Sequence, residues 1–142
     1  AEAYVRLGGA ANLALAKTAL KKAITAAFQK PNVGLTAADA EAYFTDNVEG
    51  LFDADPLSEV MNQKYIAFYE EEALEAYCDI RRLEAMGDDV IELKNPYNNT
   101  VGFPQRFTYG SSDVTTNPNV AAAYGTGSYV YTEPVWWAGG TR

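Results

Sequence analysis

Histidine is absent from this chain, and cysteine occurs once, as Cys78. The first absence removes Ser-His and Cys-His nucleophile pairs along with imidazole metal ligands. The second removes disulfide frameworks, zinc clusters and CxxC redox pairs. Catalysis by paired carboxylates survives both exclusions. Long apolar runs are also missing: none exceeds five residues, so no membrane-spanning helix is expected, and the N-terminal AEAYVRLGGAANL lacks the parts of a signal peptide. Positive charge is scarce. Eleven Lys and Arg against nineteen Asp and Glu leave a net charge of -8, which argues against a binder of nucleic-acid phosphates. A soluble chain is expected, whose opening AEAYVR reads as the last turns of a helix that begins upstream.

What is present is ordinary globular composition with an aromatic excess. At 142 residues one domain with a real core is expected, since burial on folding reaches roughly 70% of the unfolded surface near this length. Ten Tyr and two Trp supply contact area with a polar handle, as binding surfaces and well-packed cores require.

Helical signals run through the first 86 residues. Leu7-Gly8-Gly9 reads as a helix stop, and Ala10 to Gln29 as a new helix with Leu13, Ala16, Leu20, Ile24 and Ala27 as its apolar stripe. Lys17, Lys21 and Lys22 mark its wet side. Thr36-Ala37-Ala38-Asp39 opens the next helix with a shortened capping box. This pair, joined by a glycine turn and meeting through alanines, resembles the hairpins of tetratricopeptide arrays. Asn47 to Ala54 reads as a loop. Asp55-Pro56 then marks a helix start, with aspartate as N-cap and proline at the first helical position. A calcium reading of Asp53 and Asp55 fails, because Leu57 sits where the next EF-hand ligand belongs and the loop glycine is missing.

The segment Val60 to Leu83 is the element that organises the rest. Leu57, Met61, Lys64, Tyr65 and Phe68 recur at helical spacing while Val60, Ile66, Ala67 and Tyr69 fill the other faces, so this helix is expected to be buried nearly all round. A break is expected near Glu70. The second helix would then carry Glu70, Glu71 and Glu72 in its first turn and Arg81 and Arg82 in its last, the order that complements a helix dipole. Its expected face is Leu74, Tyr77, Cys78 and Arg81, with Ala73, Ile80 and Leu83 beside it.

After Gly87 the composition changes. From Asn95 to Arg142 the charged residues are Arg106, Asp113, Glu133 and Arg142, among prolines, glycines, asparagines, five tyrosines and both tryptophans. Such aromatic content is foreign to disordered tails. A loop-rich lobe is expected over residues 87–142, packed on the helical scaffold of 1–86. Gly125 and Gly127 lack a third glycine at Val130, so no dinucleotide site is read there. Asn98-Asn99-Thr100 fits the glycosylation sequon and reads more simply as a turn.

Three blocks together resemble one family. Asn62-Gln63-Lys64-Tyr65 with Glu75-Ala76-Tyr77 and Asp79-Ile80-Arg81-Arg82 forms the first. The second is Phe103-Pro104-Gln105-Arg106-Phe107-Thr108-Tyr109 followed by Asp113 and Asn117, and the third is Val135-Trp136-Trp137. In order and spacing these are similar to the motifs of SusD/RagB-type outer-membrane lipoproteins of Bacteroidetes. Gly110, Asp113, Ala138 and Tyr77 depart from the family's usual proline, glutamate, terminal acid and tryptophan. The resemblance covers essentially the whole chain but only the C-terminal part of a family member.

The resemblance implies a mainly α fold and a surface lipoprotein that captures glycans or peptides and caps a SusC-like TonB-dependent transporter. It also implies a lipid anchor upstream of this chain as the link to the outer membrane. No catalytic residue, cofactor or metal site is expected. Arg106 is a candidate tie to Asp113 or to acids on the scaffold, where a planar guanidinium holds a carboxylate by two bonds, and Arg81 is a similar tie from the helix side. Trp136 and Trp137 are candidate ligand contacts. In an extended segment their side chains would point to opposite sides, Trp136 as buried anchor and Trp137 near the surface; the alternative is that both are packing residues. Two other readings stay open: a helical-repeat adaptor that binds only protein, and a glycosidase working with two carboxylates.

Overall fold

Two consecutive glycines stop the first helix. In the computed structural model of the chain, which describes residues 1–69, 71–88, 90–91, 104–136 and 139–140, α1 (Glu2–Leu7) ends at Gly8 and α2 (Ala10–Phe28) starts after Gly9. The glycines have φ of 69° and 81°, a region that residues with a Cβ rarely enter. The chain divides into two compact units, Ala1–Glu92 and Leu93–Arg142. Among the described residues the regular structure is helical, with no strand, and no helix is long and apolar enough to cross a membrane.

In the first unit, α3 (Ala37–Tyr43) carries the expected capping box. The Asp39 N–H donates to Thr36 Oγ1 at 3.2 Å and the Thr36 N–H donates back to Asp39 Oδ2 at 2.8 Å. Asn47 to Ala54 is not a loop as expected. A π-helical turn, Phe44–Val48, continues α3 and leads into α4 (Glu49–Ala54). Ala40, Phe44, Val48 and Phe52 recur every fourth residue, and all are buried against Ala16, Leu20 and Ile24 of α2. A strict four-residue repeat drifts round an α-helix of about 3.6 residues per turn. The wider π turn takes up that drift and keeps the four side chains on one face. Outside this hairpin core, Lys17 bridges α2 to Glu49 and Asp53 at 2.8 and 2.9 Å, and Lys21 reaches Glu41 at 2.6 Å.

Asp55 starts α5 (Pro56–Phe68) as the sequence indicates, its carboxylate accepting the Ser58 N–H at 3.1 Å and the Ser58 hydroxyl at 2.8 Å. Capping and ion pairing thus account for Asp55 and Asp53. The helix is not buried all round. Glu59, Val60 and Met61 are buried, whereas Ile66 and Tyr69 are 59% and 78% exposed.

The next helix, α6 (Ala73–Met86), starts later and ends later than expected. Glu72 precedes it in non-helical geometry and Glu71 pairs with Lys30 at 3.1 Å, so neither lies in its first turn; Glu70 lies outside the described residues. Arg81 and Arg82 are followed by a further turn that Gly87 closes in the left-handed region. There the Asp88 N–H donates to Leu83 O and the Gly87 N–H to Glu84 O, a Schellman arrangement. The buried face is Ala76, Ile80 and Leu83, rotated from the expected one, and Leu74 and Cys78 are exposed.

The second unit holds more helix than expected: α7 (Ser111–Thr116), α8 (Pro118–Tyr124) and α9 (Tyr129–Thr132). Asn117-Pro118 repeats the logic of Asp55-Pro56. The Asn117 side chain accepts the Asn119 N–H at 3.0 Å, with proline opening α8.

Candidate functional site

The first motif block ties helices together. Gln63 on α5 donates through Nε2 to Glu59 Oε1 at 2.9 Å and to Tyr43 Oη at 3.1 Å, which gives the buried Glu59 a polar partner and links α5 to α3. One residue on, Lys64 reaches Asp79 Oδ2 of α6 at 2.6 Å, its ammonium lying over the Phe68 ring at 5.3 Å from the centroid. Asp79 Oδ1 accepts from Arg82 at 3.0 Å. Arg82 also grips Glu2 of α1 with both terminal nitrogens, at 2.7 and 3.0 Å. Arg6 completes the series, at 2.9 Å from Glu2 and 3.0 Å from Asp88. Cations and anions alternate from Lys64 through Asp79, Arg82, Glu2 and Arg6 to Asp88, joining three helices and the turn after α6.

The electrostatics agree with that geometry. Partial burial opposes ionisation of Glu2, but hydrogen bonds from Arg82 and then Arg6 outweigh it and hold the carboxyl below its usual range. The hydrogen bond from Arg82 to Glu2, followed by that to Asp79, raises the Arg82 guanidinium further. Arg81, the tie expected from the sequence, donates to Tyr77 Oη at 3.2 Å and lies over the same ring. Its neighbour Arg82 makes a cross-helix fork onto Glu2.

In the second unit, Arg106 sits in a cage of phenol rings. Its guanidinium carbon is 5.4, 5.7 and 5.8 Å from the centroids of Tyr129, Tyr124 and Tyr109. Tyr109 and Tyr124 stack at 4.7 Å, and Tyr124 meets Tyr129 edge-on at 4.8 Å. The Tyr109 N–H donates to Tyr129 Oη at 2.7 Å, and the Gln105 N–H donates to Val130 O at 2.8 Å, strapping the motif segment to α9. Among the described residues Asp113 forms no ion pair with Arg106. It lies in the first turn of α7, and its Oδ2 would stand 3.3 Å from a Cβ at position 110. Gly110, a departure from the family motif, leaves room for it.

Trp136 is 57% exposed, and the Gly139 and Gly140 N–H groups donate to Trp136 O and Val135 O. Such exposure does not fit a buried anchor. Trp137 and Ala138 lie outside the described residues, as do Phe103 and Asn98-Asn99-Thr100. With Tyr69 and Phe107, Trp136 makes a set of large aromatic side chains that remain open to solvent.

A groove of about 350 Å³ runs between α1, α2 and α5, floored by Ala19, Ala23, Ile24 and Val60, with Glu2 and Lys64 at its polar end. Hydrogen bonds from Arg82, Thr36 and Ser58 hold the carboxyls of Glu2, Asp39 and Asp55, respectively, below their usual range. Among the described residues no three acidic or cysteine side chains converge in a metal-like group.

No protein-family model matches the sequence, and no curated protein does. A crystal structure of a SusD/RagB family protein from Bacteroides thetaiotaomicron VPI-5482 matches it with 42% identity and a TM-score of 0.71. The match covers 100% of this chain and 33% of that one, so the chain spans about a third of its relative's length.

Proposed function

Because this chain belongs to the SusD/RagB family, we propose that it is the C-terminal part of a non-catalytic receptor for a nutrient, a glycan or a peptide, at the outer surface of a bacterial outer membrane. The receptor passes its ligand to a SusC-like TonB-dependent transporter and is held to the membrane by a lipid anchor upstream of this chain. The observation that carries this reading is the 42% identity over an alignment that covers the whole of this chain. Solvent-open aromatics support it, for an exposed indole such as Trp136 offers a flat face to a sugar ring or an apolar peptide group. The ion-paired network around Arg82 holds the helices of the first unit together, and the cage around Arg106 ties the second unit internally.

Calorimetric titration of the chain with a panel of oligosaccharides and peptides tests the proposal, with product analysis by mass spectrometry alongside. Saturable binding without turnover is the expected result. Hydrolysis of any oligosaccharide would restore the glycosidase reading. A chain that binds neither sugar nor peptide, yet retains a protein partner, would be a helical-repeat adaptor.

A further inference from the structure

Arg106 is the only cation from Pro104 to Trp136, a stretch that also holds Asp113 and Glu133. Rings, and not an anion, stabilise its charge. The guanidinium carbon lies over Tyr129, Tyr124 and Tyr109, and among the described residues no ion pair or hydrogen bond reaches it. Arg6 and Arg82, by contrast, each hold two carboxylates. A guanidinium carries five N–H donors in its own plane, and ring faces attract its charge without supplying the acceptors those donors need. Nε is buried with no acceptor, a costly state for a donor. Of the three nitrogens it alone is sealed in this way. The residue as a whole is part-exposed, so the donors on Nη1 and Nη2 stay within reach of solvent.

The cage also fixes where those donors stand. Tyr109 stacks on Tyr124, Tyr124 meets the buried Tyr129 edge-on, and the Tyr129 hydroxyl is held by the Tyr109 N–H. Gln105, next in the chain to Arg106, is fastened to α9 twice, by its N–H to Val130 O and by Nε2 to Tyr131 O at 3.2 Å. An arginine held like this gives up little freedom when it takes a ligand.

We infer that the open edge of Arg106 is a binding site for a carboxylate group. This site stands apart from the nutrient-binding reading, since it specifies the group recognised and not the molecule that bears it. Two terminal nitrogens offer parallel N–H bonds that match the two oxygens of a planar carboxylate. One positive charge balances one negative charge. A dianion such as sulfate would leave a charge unmatched beside a lone cation, in a chain whose net charge is already -8.

Nitrogen-15 spectra of the whole chain test this, following the Arg106 Nε–H signal and the Tyr109 amide during titration with acetate, glucuronate, glucose and sulfate at constant ionic strength. Acetate and glucuronate are expected to shift both signals, glucose neither, and sulfate less than acetate at equal concentration. A response to glucuronate and not to acetate would still support a carboxylate anchor, with the sugar body adding contacts. Arg106→Lys keeps the charge and removes the paired N–H edge, so carboxylate binding read at the Tyr109 amide is expected to weaken by roughly tenfold. Should that variant loosen the cage, the Arg106 Nε–H signal of the native chain decides alone. An equal response to sulfate would make the residue an unselective anion contact, and an equal response to glucose would place the contact elsewhere. No response to either carboxylate would leave Arg106 an internal tie only. Each of these three results overturns the inference, as does undiminished binding in Arg106→Lys.

Discussion

Arg82 and Glu2 stand eighty positions apart and meet in a two-bonded fork at 2.7 and 3.0 Å. The fork matches the planar guanidinium to the carboxylate and joins α1 to α6, the first and last helices of the first unit.

If the fork couples the two helices, a double-mutant cycle between Glu2→Gln and Arg82→Lys should give a coupling free energy of about 1 kcal/mol, the upper end for a partly exposed pair. Chemical denaturation of the four proteins measures it. Effects that simply add would show the pair to be ornamental.

Acid should weaken the same contact. Glu2 is held below its usual range by its two arginines, against partial burial, so its stabilisation is complete at neutral pH. That stabilisation is lost as pH falls from the unfolded value through the lowered folded one. Thermal melts of the native chain should therefore decline over that window. Glu2→Gln should start lower and decline less steeply there; parallel curves would assign the acid sensitivity to other carboxylates.

Asp55→Ala should cost about 1 kcal/mol through loss of the α5 cap, a difference measurable by urea unfolding. Calcium should not alter the melting temperature of the native chain, because Asp55 is engaged with Ser58 and Asp53 with Lys17. A calcium-dependent rise would revive the metal reading.

Arg106→Lys keeps the charge and removes the flat surface that three tyrosines face. A loss of about 1 kcal/mol is expected, within the range of cation–π contacts, together with weaker tyrosine bands in near-ultraviolet circular dichroism. Unaltered bands would mean that the rings pack without the guanidinium.

Trp137→Phe leaves Trp136 as the sole indole. Its exposure predicts red-shifted emission that acrylamide quenches readily. A blue-shifted, shielded signal would contradict the exposed position and remove Trp136 as a ligand platform.

Local grammar was legible in the residues. The Gly8-Gly9 stop, the Thr36 box and the Asp55-Pro56 start each depend on neighbours within a few positions, and each is found in place. Asn117-Pro118 obeys the same rule inside the lobe expected to be loop-rich. The stretch Asn47 to Ala54 misled because Gly50 and its acids resemble a loop, and hydrophobic periodicity tuned to α-helices does not register a π turn. Helix faces were only partly legible. Leu74 and Ile66 are as apolar as Ile80 and Val60, yet they are exposed; apolarity shows that a side chain can be buried, not that a neighbour stands opposite it.

The candidate site divides in the same way. The motif blocks and the mainly helical class were present in the sequence, because residue order and short-range spacing carry them. That Arg82 would fork onto Glu2 was not, since the rotation of α6 that turns it there is a tertiary outcome. Nor did the sequence reveal that Arg106 would meet rings instead of Asp113, for Tyr109, Tyr124 and Tyr129 converge only once the chain has folded back on α9. Helix ends are settled by interactions that a short peptide already contains. Faces, cages and forks depend on distances between residues far apart in the chain, and those distances exist only in the packed tertiary structure.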